Sequence, residues 1–349
     1  MALLSGSANE QCTVALDGTG GDHQLDTRPV VDAVRFALAL YPSLYLIVFG
    51  SSQLELDLTK AGVNKKRYEF RLAQQSIPQD EAPRSVLTNY AHSAMVQALE
   101  CVKLGQAQAM ISSGGTGPLV TLARHILGVQ QLSATKAKLK SKLGLCPRSG
   151  RVRPCFAARI PVGPQRFALM LDLGANATCA PADLYDFACL GHTCAQLSLE
   201  RDHPRLALLN VGVELGKGNA LVQRAKEILE QDRSLQFTGF IEANRIFNDD
   251  ADVIVTDGFT GNVALKAAEG VANIYASSAG MKKFFAKMAR PDWLLPWQYN
   301  GSVLLGVNGI VVKSHAAAGK EALAVAMVEA ARAAQANLAA KMQERLTAQ

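Results

Sequence analysis

The sequence predicts an α/β fold, a mostly parallel sheet with helices on both faces. Three observations predict it. Short apolar runs of strand length alternate with helical stretches from start to end. Those runs are apolar on consecutive residues, as in strands covered on both faces. Five of them close on glycine and a small polar residue, the punctuation of a strand-to-helix turn.

Taken in order, Thr13 to Asp17 is a strand that runs into Gly18-Thr-Gly-Gly-Asp22. Val30, Val34, Ala37 and Leu38 then mark one face of a helix over 30–40. Leu44 to Phe49 is a buried strand ending at Gly50. Tyr90 to Leu104 is a helix with Ala91, Ala94, Met95, Ala98, Leu99 and Val102 on its face. Ala109 to Ser112 feeds Ser113-Gly-Gly-Thr-Gly117, and Pro118 opens a helix as proline often does in a first turn. Residues 130–159 break the rhythm: they are basic, contain Pro147, Gly150 and Pro154, and are expected to form a long surface excursion. The alternation resumes with Phe167 to Leu173, then Gly174-Ala-Asn176 and a helix over 181–199. Leu206 to Val211 leads to Gly212 and Lys217-Gly-Asn219, with a helix over 220–229. Val253 to Val255 leads to Asp257-Gly-Phe-Thr-Gly-Asn262 and a helix. Residues 321–346 are alanine-rich and strongly helical by propensity. In such folds ligands bind beyond the carboxyl ends of the strands, so the five turns are expected to share one crevice.

Composition bounds the function. The chain has 349 residues, 49% hydrophobic and 19% charged, enough for a substantial core and not a disordered chain. No apolar run reaches the roughly 18 residues that span a bilayer. Residues 1–11 lack a basic and then apolar leader, so no secretory signal is expected and the cytoplasm is the expected compartment. Seven cysteines without close CxxC spacing read as reduced structural thiols, and no motif demands a metal, nucleotide or other cofactor. The net charge of +6 is clustered. Lys136, Lys138, Lys140, Lys142, Arg148, Arg151, Arg153 and Arg159 form one group, Lys282, Lys283, Lys287 and Arg290 another. Such groups attract acidic partners, whether a phosphate-bearing substrate, an acidic carrier protein or an anionic membrane face. Nucleic acid is disfavoured, because no aromatic interleaving accompanies them. Met281, Phe284, Phe285 and Met288 form an apolar stripe opposite the second basic group, with Trp293 and Trp297 beyond. That pattern suits a membrane interface, and equally a stripe packed on a dimer partner or on the core.

The candidate chemistry lies in the turns. Gly20, Gly21, Asp17 and Asp22 belong to a turn that lacks the GxGxxG spacing of a dinucleotide site. Ser113, Gly114, Gly115, Thr116 and Gly117 make the best backbone nest for an oxyanion or phosphate, reinforced by the helix that follows. It has neither the lysine of a Walker loop nor a GxSxG elbow. Asp172, Asn176, Asn210 and Asn262 are polar groups after apolar runs, either caps or ligand contacts. Lys217 and Lys266 follow glycines and could neutralise a phosphate. His23, His92 and His315 are the histidines considered for proton transfer.

Taken together these residues resemble the PlsX family, the acyl-acyl-carrier-protein:phosphate acyltransferases. The resemblance rests on Asp17-Gly-Thr-Gly-Gly-Asp22, Ser113-Gly-Gly-Thr-Gly117, Leu171-Asp-Leu-Gly-Ala-Asn176, and Asn210-Val-Gly212 with Glu214. It continues through Lys217-Gly-Asn219, Asp257 to Lys266, Tyr299-Asn-Gly301 with Leu304-Leu-Gly306, and Gly309-Ile-Val-Val-Lys313-Ser-His315. It covers nearly the whole chain. It implies a single domain over 1–349 with a three-layer α/β/α sandwich of the isocitrate/isopropylmalate-dehydrogenase-like kind. Within that domain 130–159 would be a basic insertion and 270–298 an amphipathic helical region. It also implies a homodimer that touches the inner membrane face transiently. The implied reaction moves a long acyl chain from acyl carrier protein to inorganic phosphate, giving acyl phosphate for phospholipid synthesis. Two features depart from the pattern. Thr88-Asn-Tyr-Ala-His-Ser-Ala-Met95 stands where the family usually has a basic run, and Gly115 where it usually has asparagine.

Phosphate is already anionic, so a transfer to it needs no activated serine or cysteine, only positioning and oxyanion stabilisation. On that reading Gly114 to Gly117 bind phosphate and the oxyanion with support from Lys217 and Asn176. Asp257, Asn262 and His315 orient groups or donate a proton to the leaving thiol. Gly212, Glu214, Lys266 and Lys313 complete the expected site. Two other functions stay open: a non-catalytic scaffold that binds acyl carrier protein, and a phosphotransacetylase-like exchange between coenzyme A and phosphate.

Overall fold

The computed structural model describes residues 11–21, 26–142, 150–214, 216–278 and 300–348. Asp22, His23 and the stripe from Met281 to Trp297 lie outside the described residues.

Eleven strands form one sheet. In chain order they are β1 (Cys12–Asp17), β2 (Leu44–Gly50), β3 (Tyr68–Leu72), β4 (Ala109–Ser112), β5 (Cys155–Gly163) and β6 (Arg166–Leu171). β7 (Arg205–Asn210), β8 (Gln236–Glu242), β9 (Val253–Val255), β10 (Ser302–Leu305) and β11 (Ile310–Lys313) follow. The spatial order is β3-β2-β1-β4-β11-β10-β5-β6-β9-β7-β8. Seven of the ten pairings are parallel, so the sheet is mostly parallel as expected.

The three antiparallel pairings decide where the turns lie. β10 runs against β11 and β5, and β5 runs against β6. An odd number of reversals separates the two parallel blocks. The block β3-β2-β1-β4-β11 therefore points one way and the block β6-β9-β7-β8 the other. The five glycine turns follow strands of two opposite directions. Those after β1 and β4 lie at one edge of the sheet, those after β6, β7 and β9 at the opposite edge. Sequence could not reveal this, because a strand's residue pattern reads the same whichever way it runs beside its neighbour.

Helices cover both faces. Strand residues alternate between two cores: Val14 and Leu16 face one, Ala15 the other. The first core is covered by α1 (Arg28–Leu40), α2 (Ser52–Lys60) and helices from the second half of the chain. Those are α7 (Pro181–Ser198), α8 (Ala220–Leu229), α10 (Lys320–Gln335) and α11 (Leu338–Ala348). The second core is covered by the short α3 (Val86–Asn89), α4 (Ala94–Lys103), α5 (Thr116–Ile126) and α9 (Gly258–Ser278). The alanines of α10 are inside: Ala324, Ala326, Ala330 and Ala331 are fully buried. Small side chains there let the helix lie close on the sheet. α4 starts at Ala94, not Tyr90, because the Ser93 hydroxyl caps it by accepting from the Val96 N–H. α5 starts at Thr116, ahead of Pro118.

The described residues of 130–159 do not form one surface excursion. Residues 134–142 form α6 (Ala134–Lys142), and Cys155 to Arg159 belong to β5 inside the sheet. Two of the clustered lysines point inward. Lys136 Nζ lies 3.0 Å from Asp232 and 2.7 Å from Ser234 Oγ, and Lys140 Nζ lies 2.6 Å from both oxygens of Asp186. The four ion-paired side chains are at most 8% exposed. A buried cation must be paired, and the acids that pair these are about 50 and 100 residues away in the chain. The basic count alone hid this.

Candidate active site

At the first edge, the turn after β1 and the turn after β4 pack on each other. A Cβ on Gly20 would lie 2.5 Å from the Gly114 nitrogen, and one on Gly115 2.7 Å from the Gln79 carbonyl oxygen. Gly20, Gly21, Ser113, Gly114 and Gly115 are all buried. The Asp17 carboxylate accepts from the Ser112 hydroxyl at 2.7 Å and from Thr19, and Ser112 Oγ in turn accepts from the Gly114 N–H. Burial raises the Asp17 pKa against these hydrogen bonds. Lys313, at the end of β11, points its amine at the Ser113 and Ser314 carbonyls. Burial, with Lys266 nearby, pulls its pKa down to about 8. The N–H groups of Gly115, Thr116 and Gly117 have no acceptor among the described residues.

At the second edge, Asp172 is the organising group. Its buried carboxylate accepts from the Phe156, Ala175 and Asn176 backbone N–H groups and from the Asn176 side chain. Asn176 is saturated. Its amide donates to Asp172 and to the Pro154 carbonyl, and its Oδ1 accepts from Arg153 Nε. Asp257 is spent as a cap on α9, its carboxylate accepting from the Thr260 N–H and hydroxyl. Asn210 pins the loop after β7 by donating to the Gly212 and Lys217 carbonyls. Gly218 makes that possible: it sits at φ +96, and a Cβ there would overlap Asn210 at 2.2 Å.

Two groups of the expected set are left with unspent polar atoms at this edge. Lys217 is exposed, with its stem against Gly212, and its amine has no partner among the described residues. Asn262 is exposed over Gly174, whose hypothetical Cβ would lie 3.6 Å from it, and its amide makes no hydrogen bond among the described residues. Glu214 is exposed beside Lys217, its carboxylate over Gly212.

α9 joins the two edges. It starts at the second edge on Gly258 and passes Asn262. One turn later it carries Lys266, whose amine reaches the His315 ring at 2.8 Å and Glu269 at 3.0 Å. His315 and Lys313 end β11 at the first edge. Lys217 and Asn176, expected to support Gly114–Gly117, follow strands that run opposite to β4, and the Asn176 side chain is already bonded to Arg153, Asp172 and Pro154. His92 is exposed; its backbone N–H donates to Gln75 and its carbonyl accepts from the Gln97 side chain. Sequence reading missed Glu269, whose spacing of three from Lys266 was the available signal. It counted Arg153 only as part of a basic cluster.

The described cysteines are free, and burial raises their thiol pKa values: Cys12 and Cys194 to about 11, Cys179 and Cys189 to about 12, with Cys101 and Cys155 also raised. None is a ready thiolate nucleophile. No group of metal-ligating side chains occurs among the described residues. No described helix is long and apolar enough to cross a membrane.

Comparison with known proteins agrees with this architecture. A phosphotransacetylase from Streptococcus pyogenes superposes with TM-score 0.60 at 17% identity, covering 93% of this chain and 94% of that one. A branched-chain phosphotransacylase from Enterococcus faecalis superposes with TM-score 0.56 at 15% identity, covering 93% and 99%. These likenesses support the three-layer α/β/α fold. A protein of Aeromonas salmonicida named phosphate acyltransferase is 40% identical over 346 residues, 96% of each chain. One of Coxiella burnetii with the same name is 37% identical over 338 residues, 91% of this chain and 92% of that one. The family model described as fatty acid synthesis protein matches residues 12–341. The chain belongs to the fatty acid synthesis protein family, as its resemblance to PlsX proteins implied.

Proposed function

We propose that the chain is a phosphate acyltransferase that moves a long-chain acyl group from acyl carrier protein to inorganic phosphate, giving acyl phosphate for phospholipid synthesis. Kinship over nearly the whole chain with proteins named phosphate acyltransferase carries this reading. The chemistry needs no enzyme nucleophile. An oxygen of hydrogen phosphate attacks the thioester carbonyl, the C–O bond forms and an oxyanion develops. The C–S bond then breaks, and the proton of the hydrogen phosphate ends on the departing thiolate. Direct attack is favoured over an acyl-enzyme because every described thiol is held protonated by burial.

Lys217 and Asn262 are the residues we assign to the reacting groups, because their polar atoms alone in the expected catalytic set at the second edge are unspent. The Lys217 ammonium binds phosphate, and the Asn262 amide donates to the phosphate or the oxyanion. Asn176 and Asp257 hold the backbone around them. Lys266 on α9, paired with Glu269, and Lys313 on β11 bring positive charge toward the first edge. A homodimer with transient membrane contact belongs to the same proposal. It is supported by Phe259, Val263, Val271 and Ile274 of α9, each more than half exposed.

The test follows free carrier thiol and acyl phosphate from palmitoyl-acyl carrier protein and phosphate. Phosphate-dependent release of both is expected. Lys217→Ala is expected to raise the phosphate KM by about tenfold to a hundredfold, the loss of one charged hydrogen bond. An unchanged KM removes Lys217 from the site. Carrier binding without turnover would favour the scaffold, and turnover of short acyl-coenzyme A alone the phosphotransacetylase-like exchange.

A further inference from the structure

We infer that Arg153 is a positioning residue for the acyl transfer, acting through Asn176 on the helix that presents Asn262. The inference rests on the acyl-transfer reading and adds to it a residue from the segment that sequence reading set aside as a basic insertion.

Consecutive contacts link Arg153 to the start of α9. Arg153 Nε donates to Asn176 Oδ1, and its guanidinium lies 3.6 Å from Asp183. The Arg153 backbone is itself fixed, its N–H donating to Asp186 at 2.9 Å, and Asp186 is clamped by Lys140. The guanidinium is thus a held group, 25% exposed, and not a waving surface cation. Asn176 is 5% exposed, and Arg153 is the only donor that its Oδ1 has among the described residues. With Oδ1 held by Arg153 and the amide held by Asp172 and Pro154, the asparagine has one orientation. Its backbone carbonyl then accepts from the Gly258 N–H, the first residue of α9, at 3.1 Å.

That contact seats the helix tightly. A Cβ on Gly258 would lie 2.5 Å from both the Asn176 carbonyl oxygen and the Asp172 carboxylate. The first turn of α9 has no slack against this turn, and Asn262 follows one turn later. A charge-assisted hydrogen bond to a buried amide is the strong member of this chain of contacts. Losing it leaves Asn176 Oδ1 buried and unpaired. The amide is then held from its nitrogen side alone, by Asp172 and Pro154, and its grip on the helix start loosens. Displacement by a fraction of an ångström at a substrate-binding group is felt as lost positioning.

The experiment compares Arg153→Gln and Arg153→Lys with the wild type. It reads the KM for phosphate, the KM for palmitoyl-acyl carrier protein and the thermal midpoint of each. Lysine can still donate to Asn176 Oδ1, whereas glutamine is shorter and uncharged. Arg153→Gln is expected to raise the phosphate KM by about tenfold or more while leaving the acyl-donor KM in place, and Arg153→Lys to recover most of the loss. A phosphate KM unchanged in Arg153→Gln overturns the inference. So does a fall in thermal midpoint alone, which is what a purely structural role gives. Should Arg153→Gln not fold, Asn176→Ala takes its place, since it removes the acceptor and leaves Arg153 paired with Asp183. The same rise in phosphate KM is expected there, and its absence overturns the inference. A wild type with no phosphate-dependent release would refute the acyl-transfer reading itself. An active wild type with unmoved variants refutes only the role of Arg153.

Discussion

Gly261 offers a direct measure of how closely α9 must sit. It lies in the first turn of the helix, one residue before Asn262. A Cβ added to it would be 2.0 Å from the Asp172 carbonyl oxygen and 2.9 Å from Thr256 Cγ2. Both neighbours belong to the sheet edge, and the nearer one is backbone. Contacts of this kind do not fall below 3.0 Å, so in Gly261→Ala the helix start must retreat by about 1 Å. A misplacement of that size costs on the order of a hundredfold in rate, or about 2.7 kcal/mol in transition-state stabilisation. The assay is steady-state release of carrier thiol over a range of phosphate concentrations. The matched control is Gly270→Ala on the same helix, where a Cβ would meet nothing within 4 Å. That variant is expected to keep wild-type activity and gain up to about 1 kcal/mol of stability from helix propensity. A folded Gly261→Ala with wild-type kcat/KM would refute the argument that the seat of α9 sets the position of Asn262. Equal damage from Gly270→Ala would show a helix-wide effect and refute it as well.

Two predictions concern the buried charges under α7. Burial, with Lys136 nearby, pulls the His192 pKa from 6.5 down to about 4, and its Nδ1 has no partner. The unfolded chain therefore holds this proton at a pH where the folded chain does not. Its contribution to stability is full above pH 6.5 and is lost as the pH falls toward 4, with a ceiling of roughly 3 kcal/mol. Thermal melts between pH 7 and 4.5 should fall more steeply for the wild type than for His192→Leu, and identical slopes would refute the assignment. Lys136→Ala leaves Asp232 buried beside Tyr185 and Ser234 without its cation. It is expected to cost about 3–5 kcal/mol by denaturant titration, and a loss under about 1 kcal/mol would mean that the pair is solvated.

The sequence by itself determined the alternation of strands and helices, the mostly parallel sheet and the glycine turns from which the candidate site is drawn. These are local properties. A short, β-branched apolar run such as Val253 to Val255, closed by a glycine turn, reads as a covered strand. A glycine such as Gly218 at φ +96 reflects a backbone need that no other residue meets cheaply. The family was legible for the same reason, since its motifs are short and sit at fixed turns.

Tertiary structure alone decided how those turns are arranged. The reversals at β10, β5 and β6 place the Ser113 loop and the Lys217 loop at opposite edges, and no local pattern encodes a strand direction. Structure also separated spent from unspent polar groups. Asn176 and Asn262 look alike in sequence, each an asparagine after an apolar run, yet one is held by Arg153, Asp172 and Pro154 while the other has no hydrogen bond among the described residues. Lys136 and Lys140 look like surface charge until Asp232 and Asp186 are brought to them. In each case the deciding partner is distant in the chain, and only folding sets which buried donor meets which acceptor.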